Sequence, residues 1–190
     1  MKEFDVKLRK TLNIMGALCL VTTLGGMAVM ASAAEVKPAT TAEAKTETLT
    51  LLDGKLPFKL QGYEVQPVPG GAPGKMYVNK QAKRVLIIGE EDVPLVARGI
   101  SETDFLDSMK VIKDKQKQAS PAYHVTSETT ENVKGMQVYH IEATSNMGVN
   151  DVLQATLLAT ANKKFTIIQV ISNHRDKAGH LAAVNNILGR

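Results

Sequence analysis

From Thr48 onward the chain alternates apolar and polar residues, and the period of that alternation changes only where helices are expected. Thr48-Leu49-Thr50-Leu51-Leu52 follows the two-residue period of a half-buried strand. Asp53-Gly54 is a strong hairpin signal, and Leu56–Leu60 returns as the partner strand. Met76–Asn79 and Arg84–Gly89 read as two further strands around a short turn at Gln81-Ala82. The period becomes helical after Ser101, a good N-cap whose capping-box partner is Asp104. Phe105, Leu106, Met109 and Ile112 then share one face, Lys110, Lys113 and Lys115 are polar, and Pro121 ends the helix. Four strands follow, near Tyr123–Thr129, Met136–Ala143, Asp151–Ala161 and Phe165–Ser172. Their turns, at Lys134-Gly135, Asn146-Met147-Gly148 and Asn162-Lys163-Lys164, are too short for a parallel crossover, so these strands pair antiparallel. A last helix is expected from about Asp176 to Leu188, with Leu181, Val184, Ile187 and Leu188 on one face. Strands clustered in this way, rather than alternating with helices, indicate an α+β domain: an antiparallel β-sheet packed with two main helices.

The pattern is different before Thr48. Four cations (Lys2, Lys7, Arg9, Lys10) and two anions (Glu3, Asp5) precede a stretch from Thr11 to Ala34 without charge. It ends in Ala31-Ser32-Ala33-Ala34, the small-residue pattern of a secretory cleavage site. Residues 1–34 therefore read as a signal peptide cut after Ala33 or Ala34. The uncharged run is also long enough to stay as a membrane anchor. In both cases the cations before the run place the rest of the chain outside the cytoplasm. The lone Cys19 lies inside the apolar run behind Leu18, where a lipoprotein signal requires a small residue, so lipidation is not expected. Residues 35–46 hold no large side chain beyond Val36 and cannot offset their ordering entropy, which makes them a flexible tether to a domain at 47–190.

Composition narrows the chemistry. The net charge of +4 falls to +2 without residues 1–34, too little for a nucleic-acid surface in the absence of a basic cluster. The domain has no cysteine, so it has neither a disulfide nor a thiol nucleophile. Gly70-Gly71-Ala72-Pro73-Gly74-Lys75 resembles a phosphate loop only superficially. Met76 stands where a Ser or Thr would hold magnesium, and strands flank the loop on both sides. The histidines His124, His140, His174 and His180 lack metal-ligand spacing. His140 and Glu142 share a strand face, but no Pro-Cys-x-x-Cys follows to complete a deaminase-type site, and His140 is expected on the strand surface. His174 is expected in the loop capping the last helix. No Gly-x-Ser-x-Gly elbow marks a nucleophile, and the acidic runs Glu90–Asp92 and Glu128–Glu131 read as solvated. The expectation is no enzyme, no catalytic residue, no cofactor and no metal.

Leu51-Leu52-Asp53-Gly54-Lys55-Leu56-Pro57-Phe58-Lys59-Leu60 resembles the opening hairpin of the DcrB family. The resemblance continues through Val85-Leu86-Ile87-Ile88-Gly89-Glu90-Glu91, the segment Asp114-Lys115-Gln116-Lys117-Gln118, and Ala182-Ala183-Val184-Asn185-Asn186-Ile187-Leu188. It implies a fold of the PsbP and Mog type, an α/β/α sandwich, and a periplasmic location. The function it implies is that of a non-enzymatic envelope accessory protein linked to phage adsorption and colicin sensitivity, which binds another envelope protein. The alternative is a chaperone-like protein that holds apolar segments of a partner. The well-known family member is a lipoprotein, and this chain departs from it at Cys19.

The binding surface expected from sequence is one face of the last two strands. Leu153, Ala155, Leu157 and Ala159, joined by Ile168 and Val170, form the core side. Gln154, Thr156, Leu158, Ile167, Gln169 and Ile171 form the other, whose mixture of apolar and uncharged polar groups suits a shallow partner-binding groove. Two helices cover roughly 20 Å of sheet and about seven strands span roughly 30 Å, which leaves part of that side open unless the sheet curls, or the second helix or the proline- and glycine-rich loop covers it.

Overall fold

The computed structural model describes residues 45–190; the signal peptide expected at 1–34 and residues 35–44 of the expected tether lie outside the described residues. The last tether position, Thr46, already belongs to a strand and pairs with Gln61. Strands β1 (Thr46–Leu51) and β2 (Leu56–Gln61) form the expected hairpin. They make a two-stranded sheet of their own rather than the edge of the main one. The main sheet has seven strands: β3 (Glu64–Gln66), β4 (Lys75–Asn79), β5 (Arg84–Asp92), β6 (His124–Val133), β7 (Met136–Met147), β8 (Asn150–Ala161) and β9 (Lys164–Asn173). Their order is β3-β4-β5-β9-β8-β7-β6, and all neighbours are antiparallel. The architecture is the α+β class read from the sequence.

The β6–β9 meander is set by its turns. Lys134-Gly135 and Asn162-Lys163 take positive φ at both central positions, which matches the twist of the strands they join. Lys163 also offers its carbonyl to Val93 N at 2.7 Å, tying this turn to the end of β5.

The first predicted helix is two. Helix α1 (Glu102–Met109) starts at Ser101, whose Oγ accepts from Asp104 N at 3.1 Å as the capping pattern predicts. Ser108 Oγ then donates to Phe105 O at 2.6 Å, a back-bond that competes with the helical ladder. Lys110 N reaches only to Asp107 O, the tighter spacing of a 3₁₀ turn. A new helix, α2, covers Ile112–Ala119. Helix α3 (Lys177–Leu188) is capped by Asp176, which accepts from Gly179 N, and ends on Gly189 at φ 74°. Its buried face differs from the expected one. His180, Val184, Ile187 and Leu188 point inward, and Leu181 is 55% exposed.

The sheet carries a core on each side. On one, Leu157, Ile168 and Val170 pack with Val184, Ile187 and Leu188 of α3 and with Leu52, Leu56, Phe58 and Leu60 of the hairpin. On the other, Ile141, Leu158, Ile167 and Ile171 pack with Phe105, Leu106 and Met109 of α1, Ile112 of α2, and Val93 and Ala97 from the β5–α1 loop. The proline- and glycine-rich loop adds Val68 to that second core.

This second core corrects the expectation of an open groove. Leu158 is fully buried, Ile167 is 3% exposed and Ile171 7%, with Thr156 and Gln169 equally enclosed and Gln154 at the margin. The sheet keeps seven strands, and its second side is closed because the β5–α1 loop and the Val68 loop cover what α1 and α2 do not.

Candidate functional site

The polar chemistry of the domain is concentrated under the N-terminal half of α3. Arg84 on β5 stands opposite Ser172 on β9, and its Nε donates to Ser172 Oγ at 3.0 Å. Its Nη2 pairs with the Asp176 carboxylate at 2.6 Å. Ser172 Oγ meets His180 Nδ1 at 2.9 Å, and His180 Nε2 meets Glu142 Oε2 at 3.0 Å. The other oxygen of Glu142 meets His140 Nε2 at 2.7 Å. His140 Nδ1 lies 3.4 Å from Glu131, which is paired in turn with Arg190. Eight side chains thus form one chain from β5 to β6. It crosses β8 at Ala155, the register partner of Glu142.

Electrostatics fix the proton positions. Burial pushes the Glu142 carboxyl upward, but hydrogen bonds from His140 and His180 outweigh it and hold the pKa down at about 2. An ionised carboxylate only accepts, so both histidines present an Nε2–H to it. Ser172 receives the Arg84 N–H and turns its own proton to His180 Nδ1 when that ring is neutral. Gly179 leaves the space that the Arg84–Asp176 pair occupies. A Cβ there would collide with the Asp176 carboxylate and the Arg84 guanidinium.

Serine, histidine and carboxylate in this order match the composition of a hydrolytic triad. Access does not match. Ser172 is 1% exposed and its oxygen is held by Arg84 under α3, so no substrate carbonyl can approach it. What the arrangement does is clamp α3 to β9, β7 and β5 at once. His140, expected on the surface, is 8% exposed because this network encloses it. Glu128 and Glu131 are also not simply solvated. Glu128 takes Lys113 at 2.7 Å and the Tyr139 hydroxyl at 2.7 Å.

Two concave surfaces among the described residues lie apart from this network. One, of about 350 Å³, is lined by Ala122, His124, Thr144, Ser145, Asn146, Asp151 and His174. Among the described residues no group of three or more His, Cys, Asp and Glu side chains could hold a metal. The other is a cleft of about 400 Å³ between β1 and the β4–β5 end of the sheet, lined by Leu49, Thr50, Leu51, Gly74, Lys75, Tyr77, Ile88 and Glu90. Apolar walls with a few placed polar groups are the usual composition of a binding cleft. At Gly74 a side chain would strike Ile88 O at 2.6 Å, so the start of β4 reaches the cleft only as glycine.

Of the six residues predicted to bind a partner, the structure brings all together, but inside the α1 and α2 core. The residues sequence reasoning passed over are Arg84, Ser172, Asp176 and His180. Only His180 carried a signal: it lies four residues before Val184, on the same helix face.

No family model matches the chain, and no curated protein matches it in sequence. Among solved structures, cyanobacterial PsbP (CyanoP) from Synechocystis sp. PCC 6803 is similar with a TM-score of 0.56 at 12% identity, over 81% of this chain and 95% of that one. This chain has the PsbP-type fold. LpqN, involved in cell envelope biogenesis of Mycobacterium tuberculosis, aligns more loosely, at a TM-score of 0.46 and 10% identity over 78% of this chain and 90% of that one. A variant of protein Mog1 gives 0.43 and 11% over 75% and 85%. At such identities the likeness concerns the fold alone. Among the described residues, no helix is long and apolar enough to cross a membrane.

Proposed function

We propose that this chain is an exported, non-enzymatic envelope protein that acts by binding another envelope protein, with a periplasmic location and a role of the DcrB kind. The observation that carries the reading is the enclosure of Ser172, His180 and Glu142. The side chains best suited to chemistry are occupied in holding α3 to the sheet, with Ser172 1% and His180 5% exposed. The export pattern of residues 1–34 supports the location, and the hairpin resemblance supports the link to phage adsorption and colicin sensitivity. A holdase for apolar segments would call on a broad apolar surface. Both sheet faces are covered, which favours a narrower mode of contact.

The test is made on the full chain in a Gram-negative host. The protein is expected in the periplasmic fraction and unlabelled by a fluorophosphonate probe for activated serines. Deletion of the gene is expected to change phage or colicin sensitivity, with Ser172→Ala complementing as wild type. Cytoplasmic residence, or probe labelling that Ser172→Ala removes, contradicts the reading.

A further inference from the structure

The hairpin sits on the α3 side of the sheet, and its two strands are not equivalent. Asn186 of α3 donates to Lys59 O at 2.7 Å, which fixes β2 beside the helix and leaves β1 outermost. Among the described residues, strand β1 pairs with β2 and with no other strand. Lys45 O accepts from Gly62 N at 3.1 Å, and antiparallel ladders alternate hydrogen-bonded and non-hydrogen-bonded pairs. Glu47, Leu49 and Leu51 therefore turn their backbone groups to β2, and Thr46, Thr48 and Thr50 turn theirs to the free edge. Pro57 agrees with this parity. It has no N–H, and it stands opposite Thr50, where β2 needs no donor.

The free edge borders the 400 Å³ cleft. Leu49 and Leu51 are half-buried, and Tyr77 and Ile88 are buried beneath. Two exposed charges stand at the rim. Glu90 is engaged, accepting from Leu52 N at 2.7 Å. Lys75 has no ion pair or side-chain hydrogen bond among the described residues. The β6 edge of the main sheet lacks these features. It carries a bulge between Val125 and Ser127, a device that protects edges, and its two carboxylates are already neutralised by Lys113 and Arg190.

We infer that the cleft takes an extended segment of a partner protein, which adds as a third strand to the free edge of β1. Alternate apolar side chains of that segment enter the space over Tyr77 and Ile88, and an acidic side chain meets Lys75. Main-chain bonds to Thr46, Thr48 and Thr50 supply affinity, and the cleft supplies the choice of side chains. The inference rests on the protein-binding reading above and gives it a surface and a partner chemistry.

The test uses the full chain, purified after export, and synthetic decapeptides in which Val alternates with Thr. The peptides end in Glu, in Lys or in neither, with a scrambled control of the same composition. The Glu-ended alternating peptide is expected to bind saturably and at least tenfold more tightly than the scrambled one. Thr48→Pro removes an outward N–H that no residue of β2 uses. It is expected to abolish binding at nearly unchanged Tm. Lys75→Glu, on an exposed side chain, is expected to reverse the preference toward the Lys-ended peptide, and it decides the matter should the proline unfold the hairpin. Equal binding of scrambled and alternating peptides, or binding indifferent to both substitutions, overturns the inference. So does a dimer in sedimentation that Thr48→Pro disperses and peptide does not, since the occupant would then be a second copy. In-cell cross-linking separates the two readings. A partner adduct without peptide binding leaves the binding function standing and removes this surface, whereas no adduct and no peptide binding removes both.

Discussion

On one face of the sheet α3 is tied down by a chain of side-chain hydrogen bonds; on the other α1 rests on apolar contact and α2 on very little. Under α3, His180 links Ser172 of β9 to Glu142 of β7, and Arg84 and Asp176 hold the start of the helix. Under α1, Phe105 packs on Phe165 with ring centroids 5.5 Å apart, and Leu106 and Met109 are fully buried. Helix α2 buries only Ile112 and Gln116, and Gln116 Oε1 and Gln169 Nε2 lack partners inside that core. The α3 face is therefore held by a buried directional network, and the other chiefly by packed volume, with the Lys113–Glu128 pair at its exposed rim.

The largest expected effect is on the apolar face. Leu106→Ala empties a fully buried site and should cost about 3–4 kcal/mol in denaturant unfolding, with little dependence on pH. A loss below 1 kcal/mol would mean that α1 is not integral to the core. On the α3 face, His180→Ala should cost about 2–3 kcal/mol, because it leaves Ser172 and Glu142 each short of a partner. Its signature is lower protection of α3 amides in hydrogen exchange, with α1 unaffected.

The same face sets the acid response. Glu142 has a folded pKa near 2 against an ordinary value of 4.5. The unfolded chain binds the proton more readily, so the stabilisation is complete above pH 4.5 and is lost as pH falls toward 2. About 2 kcal/mol, discounted for partial exposure, should disappear over that window. His140 and His180 contact the group and Glu131 faces the far nitrogen of His140, and Glu142→Gln should flatten the profile by that amount. An unchanged acid limb in the variant would contradict the assignment. The smallest effect concerns α2. Gln116→Leu gives up a 3.2 Å bond to Thr156 but removes an unpartnered buried oxygen, so stability should stay within about 1 kcal/mol of wild type.

The contrast between the faces also explains what could be read in the sequence. Turn chemistry is local, so Asp53-Gly54, Lys134-Gly135 and Asn162-Lys163 placed the hairpins correctly. The core side of β8 and β9 was legible because Ala155, Leu157, Ala159, Ile168 and Val170 share one parity. The opposite side left an open groove and a covered face both readable because Gln154, Thr156 and Gln169 are polar, and polar residues in a strand suggest solvent. The counter-signal was the absence of any charge from Val152 to Ala161 and from Phe165 to Asn173, which marks strands covered on both sides. The break between α1 and α2 was not visible because Ile112 continues the apolar spacing of Met109. The polar chain was not visible because Arg84, Glu142, Ser172 and His180 meet only through the sheet order.

Site-specific photo-cross-linking in intact cells tests the central claim most directly. A cross-linking residue is placed at Thr48 on the β1 edge or at Leu181, which is exposed on α3 beyond the cleft. The account predicts a discrete envelope-protein adduct from position 48, lost when Lys75→Glu is added, and none from position 181. An adduct from 181 alone, or one from 48 that Lys75→Glu leaves intact, would contradict it.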